Sequence, residues 1–113
     1  MTFFDSAVIR AEIAEITELQ EEVYTNVFRF PTMSKQEKID HVNLLEKLLE
    51  KQRIMYTRLS LSEDPEAIEM KERITESAVL MGMPKNVDMN LIFANMSKLI
   101  VTMRDQIDKS EDS

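Results

Sequence analysis

Carboxylates spaced three residues apart are the side chains of this sequence best suited to chemistry. Glu15, Glu18 and Glu21 follow one another at that spacing, and Glu37 and Asp40 repeat it. In a helix, residues at this spacing share one face, and magnesium prefers oxygen ligands. One hypothesis is therefore a metal site like that of all-helical nucleotide pyrophosphohydrolases, with these candidate ligands: Glu15, Glu18, Glu37 and Asp40. The alternative, which we favour, is a solvated helix face that binds no metal.

Other catalytic patterns are missing from the sequence. His41 is the single histidine, and the Glu-x-x-His pattern of di-iron bundles does not occur. We interpret His41 as an ordinary residue on a helix surface. The chain has no cysteine, and its one glycine excludes a glycine-rich phosphate loop. We therefore expect no catalytic residue and no cofactor.

Nine methionines form a second notable group, and seven of them lie beyond residue 50. Methionine is flexible and polarizable, so it either fills cores or lines adaptable binding surfaces. Helical spacing assigns Met96 and Met103 to the core. The methionines predicted to bind a partner flank a loop instead: Met81, Met83 and Met89.

Two arginines, Arg53 and Arg58, precede the acidic turn Ser62-Glu63-Asp64. One interpretation makes them partner-binding residues of a recognition surface built on that turn. The other, which we favour, is that they neutralise the turn and bond the carbonyl groups at the end of the helix.

Four helices and no convincing strand are predicted to position these residues. Apolar residues recur every three or four positions in four blocks. The helices are predicted over about residues 5–28, 34–59, 65–81 and, from 86 or 88, to 107. The second apolar stripe is broad, which predicts contacts with more than one helix. The fourth block is apolar on more than one side, so we expect that helix to be central or to lie in a subunit interface.

Capping residues mark where the helices begin. Asp5 or Ser6 suits the start of the first helix, and Ser34 with Glu37 has the spacing of a capping box. Asp64 suits the start of the third helix, before a proline at the first helical position. The predicted fold is all-α, either a four-helix antiparallel bundle or two helical hairpins.

Charge and helix length bear on assembly. The formal net charge of -7 disfavours nucleic acid and anionic membranes as partners. Residues 5–30 carry six acidic and two basic side chains, and residues 34–60 carry four acidic and six basic ones. The first two helices therefore attract each other as antiparallel neighbours. Each would be roughly 36–40 Å long at 1.5 Å per residue, longer than two shorter helices can cover, so we expect a homodimer.

One domain is predicted over residues 1–108, followed by a flexible polar tail over residues 109–113. The sequence lacks the basic leading region and continuous apolar run of a signal peptide. Its apolar runs fall far short of the roughly 20 residues needed to span a bilayer. We therefore predict a cytoplasmic protein.

Two stretches of the sequence carry a resemblance to a known family. The opening Phe3-Phe4-Asp5-Ser6, and RIMYTRLSLSED from Arg53 to Asp64, resemble the start and the central motif of domain of unknown function 1825, found in cyanobacteria and their phages. The region after Gly82 departs from that pattern. The resemblance implies a cyanobacterial or phage-encoded protein, acting in the host cytoplasm in the second case, and implies no activity.

The favoured hypothesis is a small, acidic, non-catalytic protein-interaction module, an adaptor or regulator that binds another protein through a helical, methionine-rich face. The first alternative is a structural, self-assembling helical protein. The second is the metal-dependent nucleotide pyrophosphohydrolase.

Overall fold

The computed structural model describes residues 3–80 and 88–110, and within these ranges it contains helices and no strand. None of the described helices is both long and apolar enough to cross a bilayer. The all-α fold class predicted from periodicity is confirmed. In chain order the elements are a 3₁₀ turn at Phe3–Asp5, α1 (Ala7–Val27), a 3₁₀ turn at Phe30–Thr32, α2 (Lys35–Leu61), α3 (Pro65–Leu80) and α4 (Met89–Lys109).

Each helix begins where a side chain accepts a hydrogen bond from the first turn. Ser6 does this for α1, Asp64 for α3 and Asp88 for α4. The cap of α1 is therefore Ser6 rather than Asp5, and that of α4 is at position 88. At α2 the predicted capping box is complete, because Ser34 and Glu37 each accept a 3.2 Å bond from the other's backbone N–H. Hydrogen bonding to the Glu37 carboxylate from the Ser34 backbone N–H, and next from the Ser34 side chain, holds the pKa of that carboxyl below its usual value.

The central helix is α2, against which α1, α3 and α4 all pack. The alternative that α4 is central is wrong, because Leu91, Leu99 and Val101 on α4 are 60%, 64% and 65% exposed. The broad apolar stripe of α2 explains the difference, since it offers apolar side chains to neighbours on several sides. The prediction that this stripe contacts more than one helix is confirmed.

Two separate clusters of buried side chains hold the helices on α2. One cluster lies between α2 and α4 and consists of Val42, Leu49, Phe93, Ile100 and Ile107. The other joins α1, α2 and α3 and consists of Ile9, Met55, Leu59 and Ala67. Because α1 and α4 are held by different clusters, they do not close over α2, and a groove remains between them.

Ion pairs show that α1 and α4 run in the same direction. Arg58, near the end of α2, pairs with Glu12, near the start of α1. Arg104, near the end of α4, lies 2.9 Å from Glu46 in the first half of α2. Both helices are therefore antiparallel to α2 and parallel to each other.

The chain is less compact than a typical domain of its mass. It exposes 7976 Å² of surface, whereas a compact monomer of 13.2 kDa exposes about 6400 Å². Its radius of gyration is 16.3 Å, compared with about 13 Å for a compact domain of this length. The exposure of Leu91, Leu99 and Val101 on α4, at least 60% for each, shows that a single copy leaves apolar helix faces uncovered.

Candidate functional site

An apolar groove of about 460 Å³ lies between α1 and α4, with α2 as its floor. Ile13 and Ile16 of α1 form one wall, and Ile92 and Met96 of α4 form the other. The residues that complete the floor and the end near α3 include Met55, Tyr56, Phe4, Met70 and Ile74. The described residues that line the groove include no charged side chain, although 31% of the chain is charged. The groove therefore suits an apolar surface.

The helical spacing of α4 divides its apolar residues between the core and the groove. Phe93 points to α2, where its ring centroid lies 5.9 Å from that of Tyr56. Met96 follows almost one turn later, lines the groove and is 45% exposed. The assignment of Met96 to the core was therefore wrong, because the stripe on α4 is wider than the face that α2 covers.

Methionine is concentrated along this groove. The thioethers that line it are those of Met55, Met70, Met89 and Met96. Of the three methionines predicted to bind a partner, only Met89 lies within the described residues, and it lines the groove while packing against the α2–α4 cluster. Met81 and Met83 lie outside the described residues. Flexible side chains of this kind adapt to differently shaped apolar partners.

Three uncharged polar residues, Thr17, Gln20 and Gln52, also line the groove. The Thr17 hydroxyl donates a 3.0 Å hydrogen bond to the Ile13 carbonyl of its own helix. The sequence did not lead us to predict a site at these residues. The signal that could have done so was Gln20, the polar interruption in the apolar stripe of α1, because a polar residue at a core position indicates a boundary with solvent.

Two of the metal candidates, Glu15 and Glu37, lie far apart. The Glu15 carboxylate is 3.1 Å from the Lys51 ammonium, which places Glu15 beside the second half of α2. Glu37 is in the first turn of α2, so it is about 21 Å from Lys51 at 1.5 Å per residue. The structure does not combine them into one site, because antiparallel packing puts the two carboxylate pairs at different levels.

The other two metal candidates are equally separate. Glu18 is exposed on α1, and the Asp40 carboxylate accepts a 3.0 Å hydrogen bond from the Gln36 amide within α2. Among residues 3–80 and 88–110, no three acidic or histidine side chains converge in a way that could hold a metal ion.

His41 is buried, with 5% of its surface exposed, so its interpretation as a surface residue was wrong. The reason is that Phe30, in the turn before α2, folds back until the two ring centroids are 5.4 Å apart. Burial lowers the pKa of the His41 imidazole. Its Nδ1 atom has no hydrogen-bond partner among the described residues. The neutral ring therefore serves as packing at this end of α2.

Each of the two arginines has an ion-pair partner outside the acidic turn. Arg53 lies 2.6 Å from Glu50 in the preceding turn of α2, because residues three apart share a helix face. Arg58 instead pairs with Glu12 of α1. Both arginines therefore have partners inside the chain, and whether they also bind a partner protein stays a prediction.

Comparison with known proteins extends the sequence resemblance. The sequence model of a family described as Domain of unknown function (DUF1825) matches residues 1–107. The match includes α4, so the expectation that the region after Gly82 departs from the family pattern was wrong. No curated protein matches the chain, and no solved structure matches it.

Proposed function

We propose, from the premise that the chain belongs to the family of Domain of unknown function (DUF1825), that it is a non-catalytic protein-interaction module. It acts as an adaptor or regulator whose groove between α1 and α4 receives an apolar helix. The observation that carries the proposal is the uncharged, methionine-lined groove of about 460 Å³. The proposal places the protein in the cytoplasm, that of the host cell if a phage encodes it.

The shape of the groove favours a helix as the bound element. Two parallel helices form its walls and a third forms its floor, so an amphipathic helix can lay its apolar face between them. A bound helix would contact the walls through residues spaced three and four apart. Methionine side chains on both sides can adjust to those contacts.

A small polar ligand fits the groove less well. Its volume is in the range of small-molecule sites, but such sites use several convergent polar groups to orient the ligand. Thr17 already donates its hydroxyl hydrogen to Ile13. The remaining polar groups on the lining residues are two glutamine amides, Gln20 and Gln52, and the Tyr56 hydroxyl. The separated carboxylates likewise give the pyrophosphohydrolase alternative no support.

Photo-crosslinking in the natural host tests the proposal. A benzophenone amino acid replaces Met96, which lines the groove, and in a matched variant it replaces Val101, which is 65% exposed elsewhere on α4. We expect a crosslinked polypeptide from position 96 and none from position 101. Equal products from both positions, or no product from position 96, would contradict the proposal.

A further inference from the structure

We propose that the helix received by the groove is α4 of a second copy of this chain, so that two copies insert α4 into each other's grooves. The inference rests on the proposed function, because it names the occupant of the same groove. It makes the functional unit a homodimer in which each copy completes the other's apolar surface.

The first observation is an uncovered apolar stripe on α4 next to the groove. Ile92 and Met96 line the groove, and Leu99 continues the same spacing with 64% of its surface exposed. The residues that flank this stripe on its outer side are uncharged: Asn95, Thr102 and Gln106. An apolar stripe without charged flanks is suited to burial in an interface, because no charge has to leave water.

The second observation is charge complementarity between α4 and the α1 wall. In α4, three basic and two acidic side chains give a net of +1, whereas in α1 one basic and five acidic side chains give -4. Glu18, Glu21 and Glu22 form no ion pair with any other described residue, and the same is true of Lys98 on α4. An α4 helix is therefore a better electrostatic match for the α1 wall than another α1 helix would be.

The register of the helices sets which charges meet. Arg104 of α4 is level with Glu46 of α2, so Lys98 is level with residue 52. The neighbouring Lys51 pairs with Glu15, so Lys98 is also level with the Glu15 region of α1.

We place the twofold axis of the dimer along the helices, so that the inserted α4 runs parallel to both walls and equivalent residues of the two copies are level. Lys98 of one copy is then nearest in level to Glu18 of the second copy, and Glu21 lies about one turn further along that helix. These two residues follow Glu15 by about one and two turns.

The third observation is the amount of surface available. The exposed 7976 Å² exceeds that of a compact chain of this mass by roughly 1500 Å². A standard interface covers about 800 Å² on each partner. The surplus on each copy is about twice the area that it would contribute to such an interface.

Sedimentation equilibrium of the purified chain at micromolar concentration tests the inference. We expect a mass of twice 13.2 kDa for the native chain and for Val101→Lys. We expect a single-chain mass for Leu99→Lys. Its dissociation constant should be at least about 100-fold higher, because each copy buries a leucine at this position in the dimer. Both positions are about two-thirds exposed in one copy, so a lysine fits either without disturbing the fold, and equal helix content by circular dichroism verifies this.

A native chain that sediments as a single copy, or a Leu99→Lys variant that stays dimeric, would overturn the inference. The proposed function fails separately. If the purified chain is a monomer while position 96 crosslinks to a different polypeptide in the host, the groove binds a helix but its occupant is not a second copy. If neither position crosslinks to any polypeptide, the proposed function itself is wrong.

Discussion

Leu99 and Val101 of α4 are equally exposed, at 64% and 65%, yet they lie on nearly opposite sides of the helix. Two residues turn an α-helix by about 200°, and Leu99 follows the groove residue Met96 by three positions. The two residues therefore share helix, exposure and apolar character and differ in whether they adjoin the groove. This pair separates an effect of the groove from a general effect of surface hydrophobicity.

The stability of the protein should fall as the pH drops from 7.5 to 5.5, because of His41. Its pKa is lowered in the folded chain by burial, whereas in the unfolded chain it is about 6.5. Below that value the unfolded chain binds a proton that the folded chain resists, so the free energy of unfolding decreases. Above that pKa of the unfolded chain, the contribution of neutral His41 to the free energy of unfolding is fully present.

Urea unfolding at the two pH values measures this effect, at one protein concentration. His41 is the only histidine, so His41→Leu should remove most of the difference between pH 7.5 and pH 5.5. An unchanged difference in the variant would show that another group is responsible.

The capping box at the start of α2 should make a measurable contribution to stability. Ser34→Ala removes the acceptor for the Glu37 backbone N–H and should lower the free energy of unfolding by about 1 kcal/mol. Ser60→Ala makes the same substitution at an exposed position in the last turn of α2 and should change it by less than about 0.5 kcal/mol. Equal losses in both variants would mean that the cap does not stabilise α2.

Removing apolar volume from the cluster that joins α1, α2 and α3 should lower the free energy of unfolding more than removing it from an exposed position of α2. Leu59, which is 3% exposed, belongs to this cluster, and Leu59→Ala should cost about 2–5 kcal/mol. Leu61, two residues later, is 80% exposed. Leu61→Ala should therefore cost less than about 0.5 kcal/mol. Denaturant unfolding compares the two, and similar costs would contradict the described position of α3 on α2.

Charge reversal should weaken the dimer when it affects one side of the contact between α4 and α1. Lys98→Glu and Glu18→Lys should each raise the dissociation constant about threefold to thirtyfold, because two exposed pairs are lost per dimer. The double variant should recover most of the native affinity. Dilution calorimetry in low salt measures the dissociation constants. If the double variant loses as much affinity as the two single variants together, the two side chains do not contact each other in the dimer.

Local signals account for the part of the fold that the sequence predicts correctly. Ser34 with Glu37, and Asp64 ahead of a proline, mark helix starts because a cap involves residues within one turn. Apolar spacing likewise predicts the four helices. The local charge difference between the first two helices also predicts their attraction, which the 3.1 Å contact between Glu15 and Lys51 confirms.

Long-range packing explains what sequence analysis missed. His41 is buried because a turn that is not part of any long helix brings Phe30 back against it. Arg58 bonds Glu12, which is 46 positions earlier, and no local spacing signals such a pair. The groove depends on the separation of α1 and α4 across α2, and helical spacing within one segment carries no information about that distance.

Disulfide trapping at residue 99 tests whether a second copy occupies the groove. The native chain has no cysteine, so Leu99→Cys and Val101→Cys each carry a single thiol. A disulfide needs its two Cα atoms within about 7 Å, which the twofold contact provides at position 99 and not at position 101. We predict that mild oxidation converts most of Leu99→Cys into covalent dimer and leaves Val101→Cys monomeric on a non-reducing gel. Equal crosslinking of the two variants, or none at position 99, would contradict the insertion of α4 into the groove of a second copy.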